Sequence, residues 1–158
     1  MFGRLKLPNL PNGTQEIRYF REVRKVRYGR GVIEMTSEEA RRAWSEFLDR
    51  TEAGQPVTVS YRGRPRLVAH PHARYVDYRR TVDGPQGEPV RVTSAEDAAW
   101  TTTKFIVVES GLAKDIWRRV QTWVVAGGHA IIDRHGANTA VLTPVTWAHD
   151  AAVARDAG

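Results

Sequence analysis

Cationic side chains crowd the start of this sequence. Arg4, Lys6, Arg18, Arg21, Arg24, Lys25, Arg27 and Arg30 stand against Glu16 and Glu22 between positions 1 and 30, which is 8 − 2 = +6. Groups at that density attract a polyanion, because each phosphate they neutralise releases condensed counterions. Tyr19, Phe20 and Tyr28 are interleaved among them and offer rings that stack on bases or insert between them. The bland alternative is a solvated basic strand or helix. The charge is also polarised along the chain: positions 1–80 hold 17 Lys/Arg against 9 Asp/Glu, a net of +8, and positions 81–158 hold 7 against 9, a net of −2.

Other residues with chemical potential lack the company that chemistry needs. His70 and His72 are two apart, but a metal site needs further ligands at a recognisable spacing, and no metal or cofactor is expected. His129, His135 and His149 are scattered over a strand, a turn and a C-terminal segment, where an exposed position or one core hydrogen bond accounts for them. The pairs Glu38/Glu39 and Glu96/Asp97 fall at helix starts, where negative charge complements the backbone dipole. No phosphate loop or nucleophile elbow is present, so an enzyme is not the expectation. Trp44, Trp117 and Trp123 sit on helical segments and read as core or contact between halves rather than base-stacking platforms; Trp100 and Trp147 stay open.

The bulk numbers set the frame for these residues. A chain of 158 residues, 41% hydrophobic, makes one ordinary domain or two very small ones. It has no cysteine, lacks an apolar signal core at Met1–Lys6, and contains no apolar run near the ~20 residues of a membrane span, so a cytoplasmic protein without a membrane partner is expected.

Thr36 with Glu39 forms a capping-box pattern, which predicts a helix start. Ala40, Ala43, Trp44, Phe47, Leu48 and Thr51 then give one apolar face, with Arg41, Arg42, Glu46 and Arg50 off it, and Gly54 ends the segment. Val57–Tyr61 and Arg66–Ala69 are β-prone runs around Arg62-Gly63-Arg64-Pro65, a hairpin in which Gly supplies the positive φ and Pro71 closes the second strand.

The same order returns later in the chain at a constant offset. Gly54 matches Gly127 (127 − 54 = 73), and the same shift pairs Ile33/Ile106, Ser37/Ser110, Ala40/Ala113, Trp44/Trp117, Ala53/Ala126, Gly63/Gly136, Val68/Val141 and Pro71/Pro144. Units of about 45 residues are too small to bury a core alone, so the two are expected to share one. The chain divides into a basic arm (1–30), a first unit (31–80), a linker (81–103) with a turn-rich run from Gly84 to Pro89 and a short capped helix near Thr93–Asp97, and a second unit (104–158) packed face to face with the first.

Met35–Arg41, Trp44–Arg50, Glu52-Ala53-Gly54, Val57–Pro65 and Leu67-Val68-Ala69 resemble the N-terminal domain of Phd/YefM antitoxins; Ser110, Ala113-Lys114, Trp117, Ala126-Gly127, Ile131–Gly136 and Val141–Pro144 resemble it more faintly. The resemblance implies an α+β fold, two tandem units of helices plus a small antiparallel sheet packed as an intramolecular pseudo-dimer. It implies a transcriptional repressor that binds double-stranded DNA, with a partner toxin and homodimerisation as further family traits. The family's DNA-contacting positions fall on Arg41 and Arg62 in the first unit, with Tyr61 where the family often has another Arg, and on Lys114 and Arg134 in the second, with His135 before Gly136; Arg64 beside the hairpin and Arg18, Arg21, Arg24, Lys25, Arg27 and Arg30 of the arm are expected to add to them. One departure matters: only Val145–Gly158 follow Pro144, where the family carries a long toxin-binding tail. The rival reading is a protein-interaction module or antitoxin that neutralises a partner, with DNA binding secondary.

Overall fold

The computed structural model describes residues 33–157. The arm cations Arg18, Arg21, Arg24, Lys25, Arg27 and Arg30 lie outside the described residues. The chain runs β1 (Ile33–Thr36), α1 (Ser37–Arg42), α2 (Trp44–Glu52), β2 (Val57–Tyr61), β3 (Arg64–Pro71) and α3 (His72–Tyr78). It continues with β4 (Val90–Val92), α4 (Ala99–Thr102), β5 (Phe105–Glu109), α5 (Ser110–Asp115), α6 (Trp117–Val125), β6 (His129–Arg134), β7 (Ala137–Pro144) and α7 (Val145–Ala157).

The capping box forms as expected: Glu39 N–H donates to Thr36 Oγ1 at 3.0 Å, and Thr36 N–H donates to Glu39 Oε1 at 2.8 Å. The single helix expected from Thr36 to Gly54 is instead two, broken at Ala43, whose φ −105° and ψ 49° leave the helical region. The ladder survives the break, since Ala43 N–H still reaches Glu39 O and Phe47 N–H reaches Ala43 O. The kink leaves Ala40, Trp44, Phe47, Leu48 and Thr51 all buried. Ile116 breaks the second helical pair at the equivalent place, with φ −111° and ψ 36°. There the cap differs, because Glu109 accepts from Gly111 and Leu112 N–H at 3.0 and 3.2 Å. Those two hydrogen bonds hold its carboxyl below the usual carboxylate range.

The strands form one seven-stranded sheet of order β1-β2-β3-β7-β6-β5-β4. It is mixed rather than antiparallel: β1 with β2, β5 with β6 and β4 with β5 are parallel pairs. A helical crossover between β1 and β2, and again between β5 and β6, returns the chain in the same direction, which a tight hairpin cannot do. The halves meet edge to edge rather than face to face. Antiparallel β3 and β7 join them, with Ala69 opposite Leu142, its equivalent in the second half. The segment 81–103 contributes the edge strand β4 and α4, the helix starting at Ala99 rather than near Thr93; Asp97 accepts from Thr93 and Ala99 N–H, each at 3.0 Å, just before it.

Helices cover both faces, so strand residues alternate between two interiors. Val57, Val59, Leu67, Ala69, Ile106, Val108, Ala130, Ile132, Ala140 and Leu142 pack with Trp44, Phe47, Trp117 and Trp123 in one cluster spanning both halves. Phe105, Val107, Ile131 and Val141 point the other way, onto Tyr75, Tyr78 and Trp147. Trp44 and Trp117 meet edge-on at 5.2 Å, the core role expected of them. Trp100 joins the same interior, edge-on to Trp123 at 5.5 Å, while Trp147 belongs to the opposite one. No helix of the described residues is long and apolar enough to cross a membrane.

Candidate nucleic-acid interface

A groove of about 850 Å³ opens where α1, the β2–β3 hairpin and the start of α6 converge, and four guanidinium groups line it: Arg41, Arg62, Arg66 and Arg118. Each reaches the groove by a separate local device. Arg41 lies in the last turn of α1, off the buried Ala40. Arg62 occupies the left-handed region at φ 53°, followed by Gly63 at φ 79°. Two successive positive φ values are what a two-residue type I′ hairpin turn demands, and its twist matches the flanking strands. Arg66 is the extra residue of a β-bulge, because Val59 pairs with Leu67 and Ser60 with Pro65. A bulge re-aims the side chain it inserts.

Arg118 comes from the other half of the chain. Trp117 beside it donates from Nε1 to Ser37 O at 3.0 Å and packs on Trp44 and Phe47, which ties the first turn of α6 to the first turn of α1. Among the described residues none of the four arginines has a carboxylate within ion-pair distance, although Glu38 and Asp115 share the groove and leave it at 4 − 2 = +2. Tyr61, exposed at the rim, lies under Arg62 with 5.1 Å from guanidinium carbon to ring centroid.

The groove thus gathers two residues singled out in the sequence, Arg41 and Arg62, with two that were not, Arg66 and Arg118. Arg64 starts β3, opposite Tyr61 and exposed. Lys114 and Arg134 are placed elsewhere, at the equivalent end of the second half. Lys114 is exposed in the last turn of α5. Arg134 is committed to Asp49 at 2.6 Å and Glu52 at 3.8 Å, with its own side chain only 19% accessible. Bulge residue Thr139 and turn residue His135, at φ 57°, stand where the first half has Arg66 and Arg62. Asp133 replaces Ser60; it accepts from Gly136 N–H at 2.8 Å and pairs with Arg91 of β4 at 2.8 Å.

A second polar cluster is buried on the opposite face of the sheet. His70 Nε2 shares a hydrogen bond with Thr143 Oγ1 at 3.0 Å, and His129 Nδ1 shares one with the Tyr75 hydroxyl at 2.7 Å. Burial lowers His70 to about 3, aided by the charges of His129 and Arg74, and lowers His129 to about 4, aided by Arg79. Burial pushes the Tyr75 hydroxyl upward, against the opposing pull of Arg79. Arg79 lies over the Phe105 ring at 4.7 Å and donates to Pro85 O. Trp147, which donates to Asp83 O at 2.7 Å, stacks edge-on against His129 at 4.8 Å. His70, Tyr75 and His129 are all buried, so they offer a ligand no surface. His72, half-buried, is not part of this cluster, and among the described residues no group of three or more ligating side chains could hold a metal.

No family model, curated protein or solved structure matches the chain.

Proposed function

We propose that this chain binds double-stranded DNA as a transcriptional regulator of the Phd/YefM type, its two halves acting as tandem units of a covalent pseudo-dimer. The observation that carries the reading is the groove in which Arg41, Arg62, Arg66 and Arg118 converge without an ion-pair partner among the described residues. Arginine suits this role because its planar fork grips phosphate or guanine in a bidentate way and never loses its charge. Four guanidinium groups held together on rigid elements repel one another and become favourable when a polyanion neutralises them. The polarised charge of the sequence and the recurrence of one element order in the two halves add support.

The test is a binding titration of the full chain on duplex DNA from its own upstream region and on a scrambled duplex, over a salt series. Four phosphate contacts give a slope of log K against log salt of about −3.6 or steeper. Specific regulation further requires roughly a thousandfold preference or more for the cognate duplex. A slope near zero would sink the DNA reading and leave the partner-neutralising antitoxin as the better account.

A further inference from the structure

We propose that a single chain grips DNA at one end only, through a clamp shared by its two halves: Arg118 of α6 closes onto Arg41, Arg62 and Arg66. This rests on the DNA-binding reading above and specifies its geometry. A symmetric binder offers the same cations to two half-sites one helical turn, about 34 Å, apart. Here every cation of the groove is weakened or lost at the equivalent end. Arg41 becomes Lys114, Arg62 becomes His135, Arg66 becomes Thr139 and Arg118 becomes Ser45.

The net charge of the lining falls with them. Thr36, Ser60 and Thr122 of the groove correspond to Glu109, Asp133 and Asp49, while Glu38, Asp115 and Tyr61 correspond to Gly111, Arg42 and Arg134, so 4 − 2 = +2 at one end becomes 3 − 3 = 0 at the other. Arg134 at that end is already held by Asp49 and Glu52, and the neighbouring carboxylates Glu109 and Asp133 would repel an approaching phosphate. The gripping end draws on both halves. Arg118 is delivered by the Trp117–Ser37 hydrogen bond and the Trp44–Trp117 contact, so neither half alone carries the complete clamp. The preferred DNA is therefore a non-palindromic stretch with one strong half-site.

The experiment is hydroxyl-radical footprinting of the full chain on a duplex selected from a random pool, with the mass of the complex measured by light scattering and the salt slope by titration. One protected backbone patch per bound chain is expected. Arg118→Ser and Arg66→Thr, which install the residues of the opposite end, are each expected to weaken binding about tenfold and to flatten the salt slope by about 0.9 without lowering Tm. Ser45→Arg with Asp49→Thr, exposed changes that rebuild cations at the other end, is expected to strengthen binding and extend protection toward a second patch. Two patches a helical turn apart under one wild-type chain, or an unchanged slope in Arg118→Ser, would overturn the one-ended clamp while leaving DNA binding intact. Absence of salt-dependent binding to any duplex would overturn the DNA reading and the clamp together.

Discussion

The Arg41 end and the Lys114 end of this molecule are built on the same backbone. Both hairpins turn through two positive φ values, Arg62-Gly63 at 53° and 79° and His135-Gly136 at 57° and 83°. Both carry a bulge after the equivalent residue, Val59 and Ile132, and both helical pairs break at the equivalent place, Ala43 and Ile116. What differs is the charge set on that frame: among the described residues, the groove arginines lack carboxylate partners at one end, and Arg134 and Arg91 are paired at the other. Backbone geometry is held by glycine, turn and packing constraints that tolerate little change. Exposed side chains obey no such constraint, so the same frame carries an arginine-lined groove at one end and an ion-paired surface at the other.

The interior repeats the contrast. Position 70 is His where position 143 is Thr, and the two equivalents hydrogen-bond each other across the β3–β7 seam. His70 and His129 are held at about 3 and about 4, below the ordinary 6.5 that the unfolded chain would show, so the unfolded state takes up protons first as the pH falls. The contribution of the two neutral histidines is complete above pH 6.5 and is lost below it, by about 1.4 kcal/mol per pH unit for each and on the order of 6 kcal/mol in all by pH 4. Denaturant midpoints measured from pH 7.5 to pH 4 check this, with His70→Gln expected to shed about half the slope. Equal stability at pH 7 and pH 5 would show that the histidines are not buried in neutral form.

The shared interior makes the next largest effect. Trp117→Ala is expected to cost about 3–5 kcal/mol and to unfold both halves in one transition, since its ring contacts Trp44 and Phe47 of the first half. Two separated melting transitions would mean that the halves fold independently. A finer comparison uses phenylalanine. Trp117 Nε1 donates to Ser37 O, whereas buried Trp44 Nε1 has no hydrogen-bond partner among the described residues. Trp117→Phe should therefore cost about 1 kcal/mol more than Trp44→Phe, because only the former removes a made hydrogen bond. Similar losses from the two would indicate that Trp44 also finds a partner in solution.

Local signals in the sequence went furthest where a short-range rule decides the structure. The Thr36/Glu39 box, the hairpin at Gly63, Pro71 at a strand end and the recurrence of the first half in the second are all legible because each depends on neighbours in the chain or on direct repetition, although Arg64 and Pro65, expected in the turn, belong to β3, and Arg62 shares the positive φ expected of Gly63. The apolar run Phe105–Val108 does not alternate in polarity, since both faces of its strand are buried, and this hides it from period-two reasoning. The breaks at Ala43 and Ile116 leave no composition mark, as neither is Gly or Pro. Of the site, Arg41 and Arg62 came from a resemblance that covers one half at a time. Arg66 depends on a bulge register and Arg118 on how the halves dock, so the first is not visible until β2 pairs with β3 and the second until Trp117 reaches Ser37.

The smallest expected effect gives the sharpest comparison of the two ends. Arg62 and His135 both sit in left-handed backbone that disfavours a side chain by about 1–2 kcal/mol, and both are exposed, so little packing is lost when either is cut back. Glycine relieves that strain but adds conformational freedom to the unfolded chain, worth about 0.5–1 kcal/mol in the other direction. Arg62→Gly and His135→Gly should therefore each stabilise the fold by up to about 1 kcal/mol and shift Tm by similar amounts. Their effects on DNA binding should part company. Arg62→Gly removes one of four groove cations and should weaken binding and flatten the salt slope by about 0.9, whereas His135→Gly should leave both unchanged. Melting curves and salt-dependent titrations on the same two variants read both quantities. Equal binding losses would mean that the two ends touch DNA alike; equal stability gains with a loss of binding only at Arg62 would mean that the arginine is kept in a strained turn for the contact it makes.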